Sequence, residues 1–406
     1  MSPKVYDVAI CGAGPAGAAL ANILSSRGIN TALIERQSDF SKEFRGEGIM
    51  PSGYQALKDI GFDLKKMEIP MEVNHRITVF YRGKHLIDPT PVGFEDGLIW
   101  VSQPALLEHM IQECQKYDDF IFYRGHRVKD VIYQEGRVNG LCLVNNNQEF
   151  DIRAKVIIGC DGRSSTLRRR LNFEVKDYKQ IIDIIWFKIP YPHDFLNKGT
   201  ALANIVPNGL MVCPACYDDK LQIGWIIAKG SYKELKKQGE EAWISEIQKT
   251  CPPELFDHLE RSKGNMSNKF VLDVGIDRCK SWNKNGVLLL GDAAHMMNPV
   301  GGQGINIALR DAIVAANHLV PLLKKDLSNK AIDAAFLEIE KERLPEVIAV
   351  QNFQKRPTTI VRKQSPSVTF MIKNIRTISK PRFVRKILSK IANLIFYGKT
   401  EVEIKV

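Results

Sequence analysis

Six residues near the start of the chain, Gly12-Ala13-Gly14-Pro15-Ala16-Gly17, limit its architecture more than any other feature. They follow the apolar run 5–11 and lead into a stretch of small and apolar residues, 16–27. The run reads as a buried strand and the stretch as a helix. Gly12 permits the tight turn between them. Gly14 lets the backbone approach a pyrophosphate, and Gly17 lets the helix pack close to the strand. Unpaired N–H groups and the dipole at the helix N-terminus favour negative charge there. The next strand, 31–34, ends at Glu35, followed by Arg36. The Glu35 carboxylate suits a ribose diol and would repel a 2′-phosphate. A strand–turn–helix with glycines but no ligand is the alternative, and the acidic residue argues against it.

Two later segments narrow the ligand. One is Gly159-Cys160-Asp161-Gly162-Arg163-Ser164-Ser165-Thr166-Leu167-Arg168. The other begins Gly291-Asp292-Ala293-Ala294-His295 and runs on through Pro299-Val300-Gly301-Gly302-Gln303-Gly304-Ile305-Asn306. Each follows an apolar run, 155–159 and 286–290, that reads as a strand.

With these three segments in this order, the chain resembles the group A flavoprotein monooxygenases typified by 4-hydroxybenzoate hydroxylase. The likeness covers roughly the first 180 residues and 275–345, each motif lying at the family's spacing. It implies an α/β fold: an FAD-binding Rossmann-like domain of the glutathione-reductase type, an inserted β-sheet substrate domain and C-terminal helices. It also implies roles. Gly12, Gly14, Ala16 and Gly17 would cradle the pyrophosphate of FAD, with Glu35 and its neighbour Arg36 at the adenosine ribose. Asp292, after Gly291, would hold the ribityl chain. Pro299, Gly301, Gly302, Gln303, Gly304 and Asn306 would lay backbone and side chains against the isoalloxazine, which makes Pro299, Gly301 and Gly302 the flavin-facing loop. Asp161, Gly162, Ser165 and Arg168 would support the pyrophosphate region and the approach of the nicotinamide. Arg45 and Gln103 fall where the family places single flavin-contacting residues.

Composition bounds the rest. At 406 residues the chain is long enough for two domains and a large core. Residues 8–24 are nearly uncharged and rich in alanine, like a signal-peptide core. Their glycines sit at dinucleotide spacing and Asp7 breaks the basic flank, so a cytoplasmic protein without a cleaved leader is expected. The eight cysteines are scattered, as in a reducing compartment. Cys213-Pro214-Ala215-Cys216 is the only CxxC, without a second pair to complete a zinc site, and no metal is expected. The net charge of +11 comes from 57 basic and 46 acidic residues. Residues 351–406 hold 13 basic and two acidic residues, so the first 350 balance at 44 of each. The excess lies wholly in the tail, which argues against a nucleic-acid partner for the body.

The motifs interleave with other material. Residues 76–100 alternate and read as a hairpin outside the nucleotide-binding layer, and 128–144 read as a hairpin or meander. Residues 180–274 form a β-rich block with a helix near 240–250, inserted between the second and third motifs. The expected division is therefore a discontinuous FAD-binding domain (1–74, 100–178 and 275–340), a substrate-binding sheet domain (75–99 and 179–274) and a basic C-terminal helical region (341–406).

The leading function is an NAD(P)H-dependent hydroxylase. NAD(P)H reduces FAD, and O₂ adds to give a C4a-hydroperoxyflavin. One oxygen atom then enters an aromatic, polycyclic or otherwise lipophilic small molecule. The cofactor carries the hard chemistry, so no catalytic triad is expected. A second strand–GxGxxG–helix for the nicotinamide is absent, as is usual in this family. Two relatives by motif stay open. Flavin halogenases carry a Trp-x-Trp-x-Ile-Pro segment, but residues 209–214 lack both tryptophans. Prenyl reductases of the geranylgeranyl type are similar around Arg45-Gly46-Glu47-Gly48. A flavin-binding sensor without turnover is a third class.

Trp100, Trp186, Met211 and Trp225 lie on inserted strands, either lining a pocket or packing the second sheet. Lys, Tyr and His occur on the inserted block, and the sequence does not select a general base among them. From residue 381 the chain reads as a basic amphipathic helix. Phe383, Val384, Ile387, Leu388, Ile391, Leu394 and Ile395 fall on one face and Gly398 marks a stop. It is expected either to pack on the body or to make peripheral membrane contact through residues 381–397.

Overall fold

The computed structural model describes residues 4–41, 47–206, 209–325, 328–362, 370, 374 and 381–406. Its first layer is an eight-stranded sheet. The apolar strand Lys4–Cys11 lies between Gln148–Gly159 and Thr31–Glu35, all parallel. Phe120–Arg124 extends one side and Val287–Leu289 the other, again parallel. Thr31–Glu35, Val287–Leu289 and the carboxyl halves of Lys4–Cys11 and Gln148–Gly159 are buried on both faces, which is why they read as continuous apolar runs. Arg127–Gln134 and Arg137–Asn145 form an antiparallel meander that leads into Gln148–Gly159.

Helices Pro15–Ser25, Gln103–Cys114 and Gln303–Leu323 join this sheet in one apolar core. Each of the three motifs sits at the carboxyl end of a central strand, where ligands bind in open α/β sheets.

The second large sheet holds the inserted strands. Its order is Phe270–Leu272, Ile182–Pro190, Lys220–Ala228, Gly209–Cys213, Thr200–Val206, Arg76–Tyr81 and Lys84–Pro91. The two insertions meet where Thr200–Val206 pairs parallel with Arg76–Tyr81; the other pairings are antiparallel. Helices Glu240–Gln248 and Pro253–Arg261 cover one face, packing Trp243, Ile244 and Leu255 on Phe187, Leu202, Met211 and Leu221.

The expected hairpin over 76–100 ends at Pro91. Leu98–Val101 instead joins a three-stranded sheet with Gly48–Ile49 and Met71–Asn74. That small sheet links the two large ones. Asn74 reaches from it to Ala215, donating to its carbonyl at 2.9 Å and accepting from its N–H at 2.9 Å.

The helix Asn329–Arg362 runs across position 341, so no break in secondary structure occurs there. A last helix, Arg382–Phe396, follows. Residues 398–406 are not helical and lie over the core of the first sheet, where Val402, Ile404 and Val406 pack. Arg27 donates to the Val406 carbonyl at 2.7 Å.

Candidate active site

The glycine loop is built as the spacing predicts. Gly12 has φ +98°, and a side chain there would collide with the Cys160 carbonyl. A side chain at Gly17 would collide with the Gly12 carbonyl. These two positions are closed by protein. Gly14 differs: nothing lies within 4 Å of where its Cβ would be. The helix beginning at Pro15 has no side-chain cap and no acidic residue in its first turn. Open space beside uncapped N–H groups suits an anionic group such as a pyrophosphate. Glu35 accepts from the Ala13 N–H at 3.0 Å and the Gln37 N–H at 2.9 Å, so its carboxylate lies against the loop. Arg36 is exposed.

The second motif is occupied largely with its own architecture. Asp161 accepts from Thr166 N–H at 2.6 Å and Leu167 N–H at 3.3 Å, while its Oδ1 is buried without a partner among the described residues. Burial pushes this carboxyl up; hydrogen bonds from Ser165 and the backbone of Leu167 and Thr166 pull the other way. Gly162 has φ +72°. Ser165 caps the short helix Thr166–Arg170 by accepting from Arg168 N–H. The Arg168 guanidinium donates to the Arg163 carbonyl at 2.6 Å and to Asp277 at 3.2 Å. The sequence offered Ser165 and Arg168 as cofactor-side residues; their polar atoms are engaged within the protein and set the second motif against the third.

The third motif meets the first through small residues. A Cβ on Gly291 (φ +57°) would lie 3.4 Å from Ala16. Asp292 is a quarter exposed and accepts from Arg163 Nε at 3.2 Å. Gly301 and Gly302 take φ +83° and +62°, left-handed values that glycine adopts freely. The Met50 methyl lies 2.7 Å from where a Gly302 Cβ would be. Asn306 braces this loop: it accepts from Met50 N–H at 2.9 Å and donates to the Gly302 carbonyl at 2.6 Å. Gln303 donates to the Gly301 carbonyl at 2.9 Å. Gly304, one residue inside the helix, faces open space. Gln103 is buried at the first turn of its helix, and its Oε1 has no partner among the described residues. Arg45 lies outside the described residues. Pro299 begins the loop, accepting at its carbonyl from Gly302 N–H.

Together Glu35, Asp292, the glycine turns and the orphaned Gln103 oxygen form a donor–acceptor set compatible with a flavin dinucleotide. Among the described residues no group of three or more His, Cys, Asp or Glu could hold a metal. Cys213 and Cys216 are buried, and burial pushes both thiols well up, which suits packing rather than dithiol chemistry.

The substrate-side candidates divide by face. Met211 packs into the helix-covered core, and Trp225 stacks on Trp243 with centroids 5.8 Å apart. For both, the structure selects the second of the two alternatives, packing within the inserted sheet's helix-covered core. Trp186 lies on the opposite face, over Gly224. The Trp100 ring lies against Gly48.

Sequence reasoning missed a buried cluster on that same face. Lys188 Nζ lies 2.9 Å from Glu47 Oε2, with only 8% and 2% of the two side chains exposed. Tyr217 donates to Glu47 Oε1 at 2.5 Å, and Lys188 Nζ sits 4.0 Å from the Tyr217 ring centroid. The one available signal was Lys188 itself, a charge amid the apolar run Ile182–Pro190.

The FAD binding domain family model matches residues 5–353. A 6-methylpretetramide 4-monooxygenase of Streptomyces rimosus is 27% identical over 98% of this chain and 94% of its own length. Squalene epoxidase 4 of Arabidopsis thaliana is 25% identical over 80% of the chain, which spans 64% of that relative. Among solved structures, p-nitrophenol 4-monooxygenase PnpA from Pseudomonas putida superposes with a TM-score of 0.80 at 17% identity, covering 98% of this chain and 100% of its own, a likeness of fold. The chain belongs to the FAD-binding-domain family, among its hydroxylase-type flavoprotein monooxygenases.

Proposed function

We propose that this enzyme uses NAD(P)H and O₂ to insert one oxygen atom into an aromatic or polycyclic, lipophilic molecule held between the Pro299–Gly302 loop and the face of the inserted sheet opposite the helices Glu240–Gln248 and Pro253–Arg261. One observation carries this reading. The helices Glu240–Gln248 and Pro253–Arg261 pack on one face of that sheet, and the other face carries apolar residues, including Val79, Ala203, Val212 and Trp186, toward the side bridged by Glu47. A largely apolar wall with a few polar groups is the usual character of a small-molecule site. The name of the Streptomyces relative, a 6-methylpretetramide 4-monooxygenase, supports the same class.

FAD, when bound, supplies the redox and oxygen chemistry. The protein's share is position and exclusion of water. Gly12, Gly14, Ala16 and Gly17 would hold the pyrophosphate and Glu35 the adenosine ribose, with Arg36 at its edge. Asp292 would take the ribityl hydroxyls. Pro299, Gly301, Gly302, Gln303, Gly304 and Asn306 would back the ring system, and Gln103 and Arg45 would complete its rim. Asp161, Gly162, Ser165 and Arg168 would act indirectly, by fixing the second motif. The division into a discontinuous FAD-binding domain and an inserted substrate domain follows from the same reading.

The deciding experiment screens phenols, quinol precursors and polyketides for stimulated NAD(P)H oxidation, with product mass measured. A product heavier by one oxygen supports the reading. Saturation of a prenyl chain without oxygen uptake sinks it in favour of a reductase.

We also propose peripheral membrane contact through the Arg382–Phe396 helix. No described helix is long and apolar enough to cross a membrane. Its C-terminal part packs on the body through Leu394, whereas Ile387 and Ile391 are 55% and 39% exposed beside exposed Lys386 and Lys390. A cationic helix with outward apolar residues suits an anionic lipid surface.

A further inference from the structure

We infer that a cavity at the edge of the inserted sheet binds a small aromatic acid, a single ring bearing a carboxylate. The cavity lies on the face opposite the proposed substrate side and does not depend on the oxygenase reading. Its volume is about 250 Å³, and it is lined by Ile185, Tyr232, Lys236, Gly239, Trp243 and Lys269.

The floor is apolar. Ile185 and Trp243 belong to the core under the helices and are 2% and 7% exposed. The Trp225 ring backs Trp243, with centroids 5.8 Å apart and planes 26° apart, so a double layer of indole forms one wall. Ile185 sits in register between Trp225 and Val271, on the strands at this edge. The rim is cationic. Lys269 Nζ lies 5.5 Å from the Trp243 ring centroid. Tyr232 and Lys236 are four residues apart on the helix Tyr232–Gln238, hence on one side of it. Gly239 ends that helix at φ +87°, with nothing within 4 Å of where its Cβ would be, which leaves the mouth open.

This helix has seven residues and fully buries none of them. Helices so short are marginal alone, so tertiary contacts must hold it. Tyr232 and Leu235 lean on the core. Glu234 pairs with Lys237 at 3.7 Å, whereas Lys236 has no ion-pair partner among the described residues and lines the cavity instead.

The lining selects the ligand's chemistry. It includes two lysines and no carboxylate side chain, which disfavours a cation. An inorganic anion would meet the lysines but lose its water against the indole face and Ile185, without compensating hydrogen bonds. A dinucleotide is too large, since drug-sized ligands fill roughly 300–1,000 Å³. One aromatic ring with one carboxylate satisfies both parts, its ring against Trp243 and its charge toward Lys236 and Lys269.

The test uses the FAD-loaded full chain carrying 5-fluorotryptophan, without NAD(P)H, so that binding is read apart from turnover. The chain has five tryptophans, and Trp→Phe variants assign their fluorine resonances. Trp243 reports this cavity, while Trp100 and Trp186 report the opposite side of the inserted sheet. Benzoate should shift the Trp243 resonance saturably, with a Kd of about 1 mM or tighter. Benzamide, of similar size and uncharged, should bind more weakly. Lys236→Gln should weaken benzoate about two- to fivefold, as expected for a half-exposed ion pair, and Lys236→Arg should not. Lys233→Gln, on the same helix but outside the lining, should leave the affinity unchanged. A Trp243 resonance that benzoate does not move, or shifts confined to Trp100 and Trp186, overturns the inference with the wild-type protein alone. Equal affinity for benzamide does the same. So does equal weakening by Lys233→Gln and Lys236→Gln, which would reduce the effect to general surface charge. The oxygenase reading stands apart from all of these results, because it is judged by product mass.

Discussion

The side-chain amide of Gln303 donates to the backbone carbonyl of Ile395, a residue 92 positions further along the chain. The glycine loop at the start of the Gln303–Leu323 helix is therefore tied to the basic C-terminal helix. Ile395 also lies 3.6 Å from where a Gly301 Cβ would be. Phe94, from the inserted segment, packs against Phe396 with centroids 4.3 Å apart and the rings tilted by 52°. The last helix thus bridges the proposed flavin loop and the inserted part of the chain.

Membrane contact through this helix has a direct test. Replacing Ile387 and Ile391 with glutamate should sharply reduce co-sedimentation with anionic liposomes at low salt. Each Lys or Arg near such a surface contributes about 1 kcal/mol, so the wild-type protein should be released as salt rises. FAD content should not change, because both isoleucines point outward. Negligible pelleting of the wild-type chain would leave the helix as packing alone.

A buried charge network holds the C-terminal strap. Asp311 lies 2.8 Å from Arg343 Nε and 2.9 Å from His295 Nε2, and all three are essentially unexposed. Arg343 pairs with Glu346 at 2.5 Å, and Glu346 accepts from Lys399 N–H at 2.9 Å. Arg310 joins Glu346 to the Thr400 carbonyl. Removing one partner of a buried pair leaves an uncompensated charge, at about 3–5 kcal/mol. Arg343→Met should lower the melting temperature accordingly and expose residues 398–406 to carboxypeptidase. An unchanged melt and an intact C-terminus would contradict this account.

The same network predicts an acid limb. Burial alone would raise the Asp311 carboxyl, but the charges of His295 and Arg343 outweigh it and hold it below its ordinary range. A carboxyl depressed on folding contributes stability above its unfolded value, about 3.9, and that contribution is lost as pH falls through the folded value. The melting-temperature difference between wild type and Asp311→Asn should thus be constant from about pH 5 to 8 and shrink below about pH 4. A difference that persists undiminished at acid pH would rule out the ionised carboxylate as its source.

Gly12 and Gly14 should fail differently. Gly12→Ala forces a left-handed φ and a clash with the Cys160 carbonyl, so it should destabilise the fold itself. Gly14 has an ordinary φ of −68° and open space before it, so Gly14→Val should fold normally yet lose FAD. Circular dichroism and the flavin-to-protein absorbance ratio separate the two. Stoichiometric flavin in Gly14→Val would show that no pyrophosphate lies there.

Asp292→Ala should weaken FAD retention. Loss of a charge-assisted hydrogen bond, about 1.5–3 kcal/mol, corresponds to roughly ten- to hundredfold in affinity. The Arg163 partner is released by the same change, so Arg163→Ala is the control. If the arginine variant loses flavin and the aspartate variant does not, the ribityl assignment fails.

What the sequence determined by itself was local or periodic. The glycine turn after Lys4–Cys11, the strand ends at Gly159 and Leu289, and the helix leaving Gly302 were legible because strand burial and left-handed turns constrain residue type position by position. The excess charge after residue 350 was legible by counting. Facing direction was not. Alternation in Ile182–Pro190 and Lys220–Ala228 defines two faces, but nothing local says which one the helices cover; that choice sent Met211 and Trp225 to one side and Trp186 to the other. Nor does the sequence join Glu47 to Tyr217, 170 residues apart. Arg168 reads as a cofactor residue from its motif, yet the fold spends its donors on Arg163 and Asp277. Such pairings form only when separate strands and loops are brought within a few ångströms, so the tertiary structure alone decides which charges neutralise one another and which remain for a ligand.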